Sequence, residues 1–316
     1  PGIAYDLMPS FKHYRTSSWH ANYIDNDRSP FSSIYTSLGC IFKCEFCMIN
    51  IINRNENSNH LPASHFNTFR YWSPQFTIKQ LDYLAKSGVK QLKIADEMWV
   101  LNPRHFLRLC DLIIERGYQF NIWAYTRIDT IKPKYLEKLK KAGVNWLAPG
   151  IEAGNQTVRK EITKGKFEDV NIREIISSIQ NHDINVVANY IFGLGNDNWR
   201  TMQETLNLAL ELNTENANMY CSTPLPGSPL YLKAKRKGWT IPTNYNEYGF
   251  LAYEHIPSRT KTLTSKEILK FRDYAFHVYF ENPRFLSMID KKFGPEAVNN
   301  IKRMTDIKLK RRLLES

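Results

Sequence analysis

The sequence predicts an α/β fold: a partial (β/α)6 TIM-like barrel followed by a C-terminal loop-and-helix extension. Short β-rich runs alternate with stretches whose apolar residues recur at three- and four-residue spacing, the helical period. Two of those helical stretches stop at a glycine, Gly88 and Gly143, directly before the next strand. After about residue 232 the alternation ends, which marks off the extension.

Taken in order, residues 1–32 mix proline, aromatic and polar side chains without a period and read as a lead-in. Strands are expected at 33–38, 91–95, 120–125, 144–149, 184–192 and 216–222, with helices at 77–87, 103–116, 133–142, 169–182 and 198–212. Strands that alternate with helices call for a parallel sheet, and barrels of this kind gather their chemistry at the C-terminal strand ends. The barrel therefore spans 33–232 and the extension 233–316. The extension opens with a loop-rich segment, 239–263, and continues with helices at 265–280 and 295–308. Tyr245, Tyr248 and Tyr253 in that segment are expected to help wall a cavity for a planar partner.

The chain has 316 residues and a net charge of +12. Its basic residues are dispersed except in the tail Lys308, Lys310, Arg311, Arg312, and no aromatic-and-basic module stands out, so nucleic acid is not an expected partner. No run approaches the ~18 apolar residues of a membrane span. Three of the five cysteines fall within eight residues. That is no disulfide framework; it predicts a metal and a reducing, cytoplasmic setting.

Cys40, Cys44 and Cys47 follow the first strand in C-x3-C-x2-C spacing. One short loop can place three thiolates around one face of an iron–sulfur cube and leave the fourth iron open for another ligand. The alternative is a zinc site completed by His60 or His65. Gly39 is expected to let the backbone approach the metal centre. Cys110 reads as core and Cys221 as a candidate cavity wall. At the end of the second strand, Glu97 is the candidate catalytic carboxylate, able to bind an amino group of a ligand or to orient and deprotonate a substrate. Its neighbour Asp96 reads equally well as structural, before a helix capped by Asn102.

C-x3-C-x-aromatic-C after a first barrel strand, with Phe46 as the aromatic, resembles the radical S-adenosylmethionine (SAM) superfamily. The resemblance implies a [4Fe-4S] cluster on Cys40, Cys44 and Cys47, with SAM on the open iron through its amino and carboxylate groups. It further implies reductive cleavage of SAM, an electron donor such as a reductase, flavodoxin or ferredoxin, and a small-molecule or peptide substrate. The run Pro149-Gly150-Ile151-Glu152-Ala153-Gly154-Asn155 and, further on, Lys164-Gly165 are similar to the SAM-binding stretch of several groups in that superfamily. That similarity implies Glu152 near the ribose or amino group and Lys164, where many relatives carry Arg, near the carboxylate. Asn189 and Gly193, on the fifth strand, are implied beside adenine and ribose.

The lead-in 1–9, the segment 35–40, Asp96-Glu97-Met98-Trp99 and the stretch 253–260 resemble the radical domain of proteins that also carry a cobalamin-binding domain. That group includes methyltransferases and an anaerobic magnesium-protoporphyrin ester cyclase. No Asp-x-His-x-x-Gly cobalamin motif occurs in the sequence. With Pro1 as the first residue, a cobalamin domain is expected upstream or removed, and loss of the domain is the remaining option. The expected reaction is methylation or C–C bond formation, cobalamin-assisted if that domain is present. A methylthiotransferase acting on tRNA and a non-catalytic zinc module are the alternatives.

Overall fold

A computed structural model of the chain describes residues 2–55, 58, 60–163, 167 and 170–315. Eight strands are described: β1 (Phe31–Ile34), β2 (Ser37–Gly39), β3 (Phe69–Tyr71), β4 (Gln91–Ile94), β5 (Asn121–Arg127), β6 (Val144–Glu152), β7 (Asn185–Phe192) and β8 (Asn216–Cys221). Around them lie α1 (Pro74–Lys86), α2 (Pro103–Arg116), α3 (Pro133–Lys141), α4 (Gln156–Thr163), α5 (Ile172–Asn181), α6 (Trp199–Leu212) and α7 (Pro229–Arg236). The extension adds α8 (Ser265–Phe280), α9 (Pro283–Phe293), α10 (Pro295–Asp306) and α11 (Arg312–Glu315).

Six strands form one parallel sheet in the order β1-β4-β5-β6-β7-β8, the predicted partial barrel. Outward-facing Leu92, Ile94, Ile122, Ala124, Leu147, Val186 and Ala188 join the helices in one core. Lys93, Trp123, Tyr125, Trp146 and Asn189 stand at the alternate, lumen-facing positions. From the extension, Ile268, Leu269, Phe271, Ala275 and Tyr279 of α8 enter the same core as the strands.

The expected first strand, 33–38, is corrected. Its pairing with β4 ends at Ile34, and Ser37–Gly39 turns away to pair antiparallel with Phe69–Tyr71. Asp96 causes this break: its carboxylate accepts hydrogen bonds from the Thr36 amide, the Thr36 hydroxyl and the Ser37 hydroxyl, each at 2.6 Å. Helix ends also shift. Helix α1 begins at Pro74, three residues before the expected start, where Ser73 caps it by accepting from the Phe76 amide. Helices α7 and α9, hidden behind proline-led turns, each use Pro at the first position after a Ser or Asn cap.

The lead-in closes the N-terminal end of the lumen. His20 Nε2 donates to the Asn121 carbonyl, Asn121 returns a bond to the His20 carbonyl, and Tyr23 Oη donates to the Glu215 carbonyl. Trp19 lies 5.7 Å from Trp123 and 5.5 Å from Trp146, and Phe293 stacks on Trp146. No described helix is long and apolar enough to cross a membrane.

Candidate active site

The cysteine loop is held by its backbone, and none of its thiols forms a disulfide. Gly39 (φ +94°) precedes it, and a Cβ there would collide with the Thr68 carbonyl, so the close approach it permits is to the β3 hairpin. Asn50 brackets Cys40, accepting from its amide at 2.8 Å and donating to its carbonyl at 2.7 Å. The Glu45 amide donates to Ile162 in α4, and the Leu230 amide in α7 donates to the Glu45 carbonyl. Burial pushes the Cys40 thiol up to about 11 and raises Cys44 and Cys47; Cys40 also feels the charge of Cys47, and Cys44 that of both other thiols.

This donor set fits a cluster. Backbone N–H groups of Phe42 and Ile49 hydrogen-bond the sulfurs of Cys40 and Cys47, stabilising the thiolate forms that a metal requires. Among the described residues no three His, Cys, Asp or Glu side chains converge on a point that could hold one ion. A cubane takes its thiolates on three different irons and needs no such convergence. His60 and His65 are both exposed.

Glu97 and Glu152 converge on the cysteines. Glu97, half-buried in the turn three residues past the end of β4, has its carboxyl pushed up to about 7 by burial and by Asp96, partly offset by Lys93. Its charge is felt at Cys40, Cys47 and Tyr125. Asp96, fully buried, is structural: all its bonds serve the turn into β2. Glu152 ends β6 in the left-handed region (φ +67°), where the register with β7 shifts. Its carboxyl folds over Gly150, where a Cβ would strike it. Burial raises Glu152 to about 7 against the opposing pull of Arg127. Non-glycine residues in that backbone region cost about 1–3 kcal/mol and cluster at functional sites.

Arg127, at the end of β5, escaped the sequence reading. It is 5 % exposed and forks onto Asp129, and its guanidinium lies 3.3 Å from the centre of the Phe42 ring. Its Nη1 has no partner among the described residues, while its charge reaches Cys40, Cys44 and Glu152. The signal was present: Trp123, Tyr125 and Arg127 alternate along one strand face.

Asn189 stands in the lumen, donating to the Pro149 and Val187 carbonyls and accepting from Asn218 at 3.0 Å. Gly193 (φ +79°) faces the extension, where a Cβ would meet Ile268 at 2.8 Å, and its amide donates to Asp197. Lys164 lies outside the described residues. Phe46 packs against Ala153, Val158, Ile162 and Leu194, and with Cys47, Tyr220, Cys221 and Phe250 it walls a cavity of about 430 Å³. From the 239–263 segment it is Phe250 that lines this cavity. Tyr245 is exposed, and Tyr253 bonds Glu315. Cys110 is core, as expected.

Residues 34–209 match the family model described as the radical SAM superfamily. An uncharacterized methyltransferase of Pyrococcus horikoshii is 23% identical over 287 residues, 90% of this chain and 57% of that protein. The anaerobic magnesium-protoporphyrin IX monomethyl ester cyclase of Cereibacter sphaeroides is 26% identical over 236 residues, 73% of this chain and 36% of that protein. The chain thus spans about half or less of the length of these relatives. In fold it is similar to the radical SAM methyltransferase TsrM of Kitasatospora setae, solved with cobalamin and a [4Fe-4S] cluster (TM-score 0.56, 15% identity, 66% of this chain, 39% of that one). It is also similar in fold to the cobalamin-dependent SAM radical enzyme OxsB (TM-score 0.56, 14% identity, 95% of this chain, 48% of that one).

Proposed function

Because the chain belongs to the radical SAM superfamily, we propose that it holds a [4Fe-4S] cluster on Cys40, Cys44 and Cys47 and cleaves SAM reductively to modify a C–H position of a small molecule. The observation that carries this reading is the mouth itself: one buried and two half-buried thiols, two carboxyls raised to about 7 and one buried cation share the C-terminal end of the barrel. When bound, the cluster supplies the electron that splits SAM into methionine and a 5′-deoxyadenosyl radical.

This chain's residues provide the rest. Arg127 offers its free Nη1 to the SAM carboxylate, a charge-assisted bond in a site shielded from water. Glu152 accepts from the SAM amino group or ribose, and its folded-back pose over Gly150 keeps it within the mouth. Phe46, Tyr220 and Phe250 exclude water from the 430 Å³ cavity. Glu97, poised near neutrality, holds or moves a proton on the substrate. Methylation or C–C bond formation, cobalamin-assisted in the longer protein, is the reaction class we favour, because the similar curated proteins named above are a methyltransferase and a cyclase. An electron donor such as a flavodoxin or ferredoxin, and the cytoplasm as location, follow from the same chemistry.

Anaerobic reconstitution tests the reading. The protein should turn brown and carry about four irons, with a SAM-dependent change in the spectrum of the reduced cluster. A colourless protein holding a single zinc ion would overturn it.

A further inference from the structure

Below the mouth, the barrel lumen contains a second cavity of about 200 Å³ that the reading above does not use. Arg15 and Trp19 of the lead-in, Lys93 on β4, Trp123 and Tyr125 on β5, and Asn218 on β8 help to line it. No Asp or Glu is among its lining residues.

Lys93 is half-buried, with Nζ 4.6 Å from the centre of the Trp123 ring and 4.9 Å from that of Tyr125. Among the described residues it forms no ion pair and no hydrogen bond. Burial lowers its pKa, and the charge of Glu97 offsets this only in part. The rings stabilise a cation by about 0.5–2 kcal/mol but supply no counter-charge. A second donor waits on the same wall: Trp123 is 3 % exposed, and its Nε1–H finds no acceptor among the described residues. An unpaired buried donor costs about 1–3 kcal/mol, a cost that a ligand acceptor removes. His20 contributes no charge, since burial holds its pKa near 4. It is already engaged by Thr16 and by the Asn121 carbonyl.

Two separate donors, aromatic walls and no acidic residue describe a receptor for an anion on a flat apolar body. We propose that this cavity is a subsite for the carboxylate of a small planar substrate, with Lys93 Nζ and Trp123 Nε1 each taking one carboxylate oxygen. Trp19 and Tyr125 wall the body, which rises along the lumen towards the mouth. The inference rests on the radical SAM reading for its direction: the anchored end lies below, and the reacting carbon lies above, near SAM.

Calorimetric titration of the reconstituted protein with phenylacetate and its neutral isostere phenylacetamide tests the subsite. Phenylacetate should bind at least ~10-fold more tightly than the amide, the effect of one desolvated charge-assisted contact. Lys93→Met should erase that preference, Lys93→Arg should keep most of it, and Trp123→Phe, which retains the ring, should reduce it several-fold. Equal affinity for the two probes, no binding of either, or an undiminished preference in a folded Lys93→Met protein would overturn the proposal. SAM cleavage by the unaltered protein, measured without either probe, reports separately on the reading beneath it.

Discussion

At the floor of the barrel, Trp19, Trp123, Trp146 and Phe293 pack ring against ring, and His20 has both nitrogens bonded. At the mouth, some strand layers above, two carboxyls sit near pKa 7, Glu152 holds a left-handed backbone, and Arg127 keeps a nitrogen unpaired. Both regions are enclosed by the same strands, so the difference lies in the side chains. The floor stabilises the barrel mainly by burying rings, although Trp123 Nε1 and Trp146 Nε1 have no acceptor among the described residues. The mouth instead keeps charged groups desolvated and partly unpartnered, which costs stability and leaves them available to a ligand. Substitutions at Trp146 and at the mouth should therefore separate stability from SAM binding.

The largest expected effect is at the floor. Trp146 is fully buried, and Trp146→Ala should cost about 3–5 kcal/mol. Thermal unfolding should show it as a midpoint lowered by roughly 10 °C, with iron content per folded molecule unchanged. At the mouth the pattern should invert. Arg127→Met should weaken SAM binding ~10-fold, read from the SAM-dependent change in the spectrum of the reduced cluster, and Arg127→Lys should recover part of the loss. An unchanged SAM affinity in Arg127→Met would assign the residue to Asp129 and Phe42 alone.

Glu97→Gln tests the pH side of the comparison. The folded pKa of Glu97, about 7, lies above its ordinary value of 4.5, so the folded state holds the proton more tightly than the unfolded one. Its ionisation thus lowers stability progressively as pH rises from 4.5 to 7, and the penalty is complete above 7. Glutamine escapes the penalty, so Glu97→Gln should be more stable than the parent by about 1–2 kcal/mol at pH 8, with the gain shrinking towards pH 5 in paired melting curves. The smallest effect is at Glu152. Glu152→Gly relieves the left-handed backbone and should add about 1 kcal/mol or less while weakening SAM binding. A variant that loses both stability and SAM affinity would contradict the idea of strain kept for function.

Much of this contrast was legible in sequence, because the barrel is written in local periodicity. Each of the six expected barrel strands overlaps one in the parallel sheet, and the Cys40–Cys47 spacing pointed to the loop proposed to hold the cluster. What escaped depends on distant pairing. Residues 33–38 read as one β-rich run, and only contact with Asp96, 60 residues away, splits it. Residues 69–71 gave no strand signal, since an antiparallel partner three residues long has no period of its own. Asp96 and Glu97 are adjacent and chemically alike; the three hydrogen bonds to Asp96, invisible in sequence, make one structural and leave the other free. Arg127 lay beyond the expected strand end at 125, whereas β5 runs on to Arg127. For Gly193, the glycine was visible but not its reason, since Ile268 of the extension occupies the space beside it.

Anaerobic incubation of the reconstituted protein with SAM and dithionite tests the central claim most directly, with 5′-deoxyadenosine measured over time. The wild-type protein should release 5′-deoxyadenosine and methionine, and Cys44→Ala should release neither while losing its iron. Release that persists in Cys44→Ala, or none from a wild-type protein carrying a full complement of iron, would contradict the account.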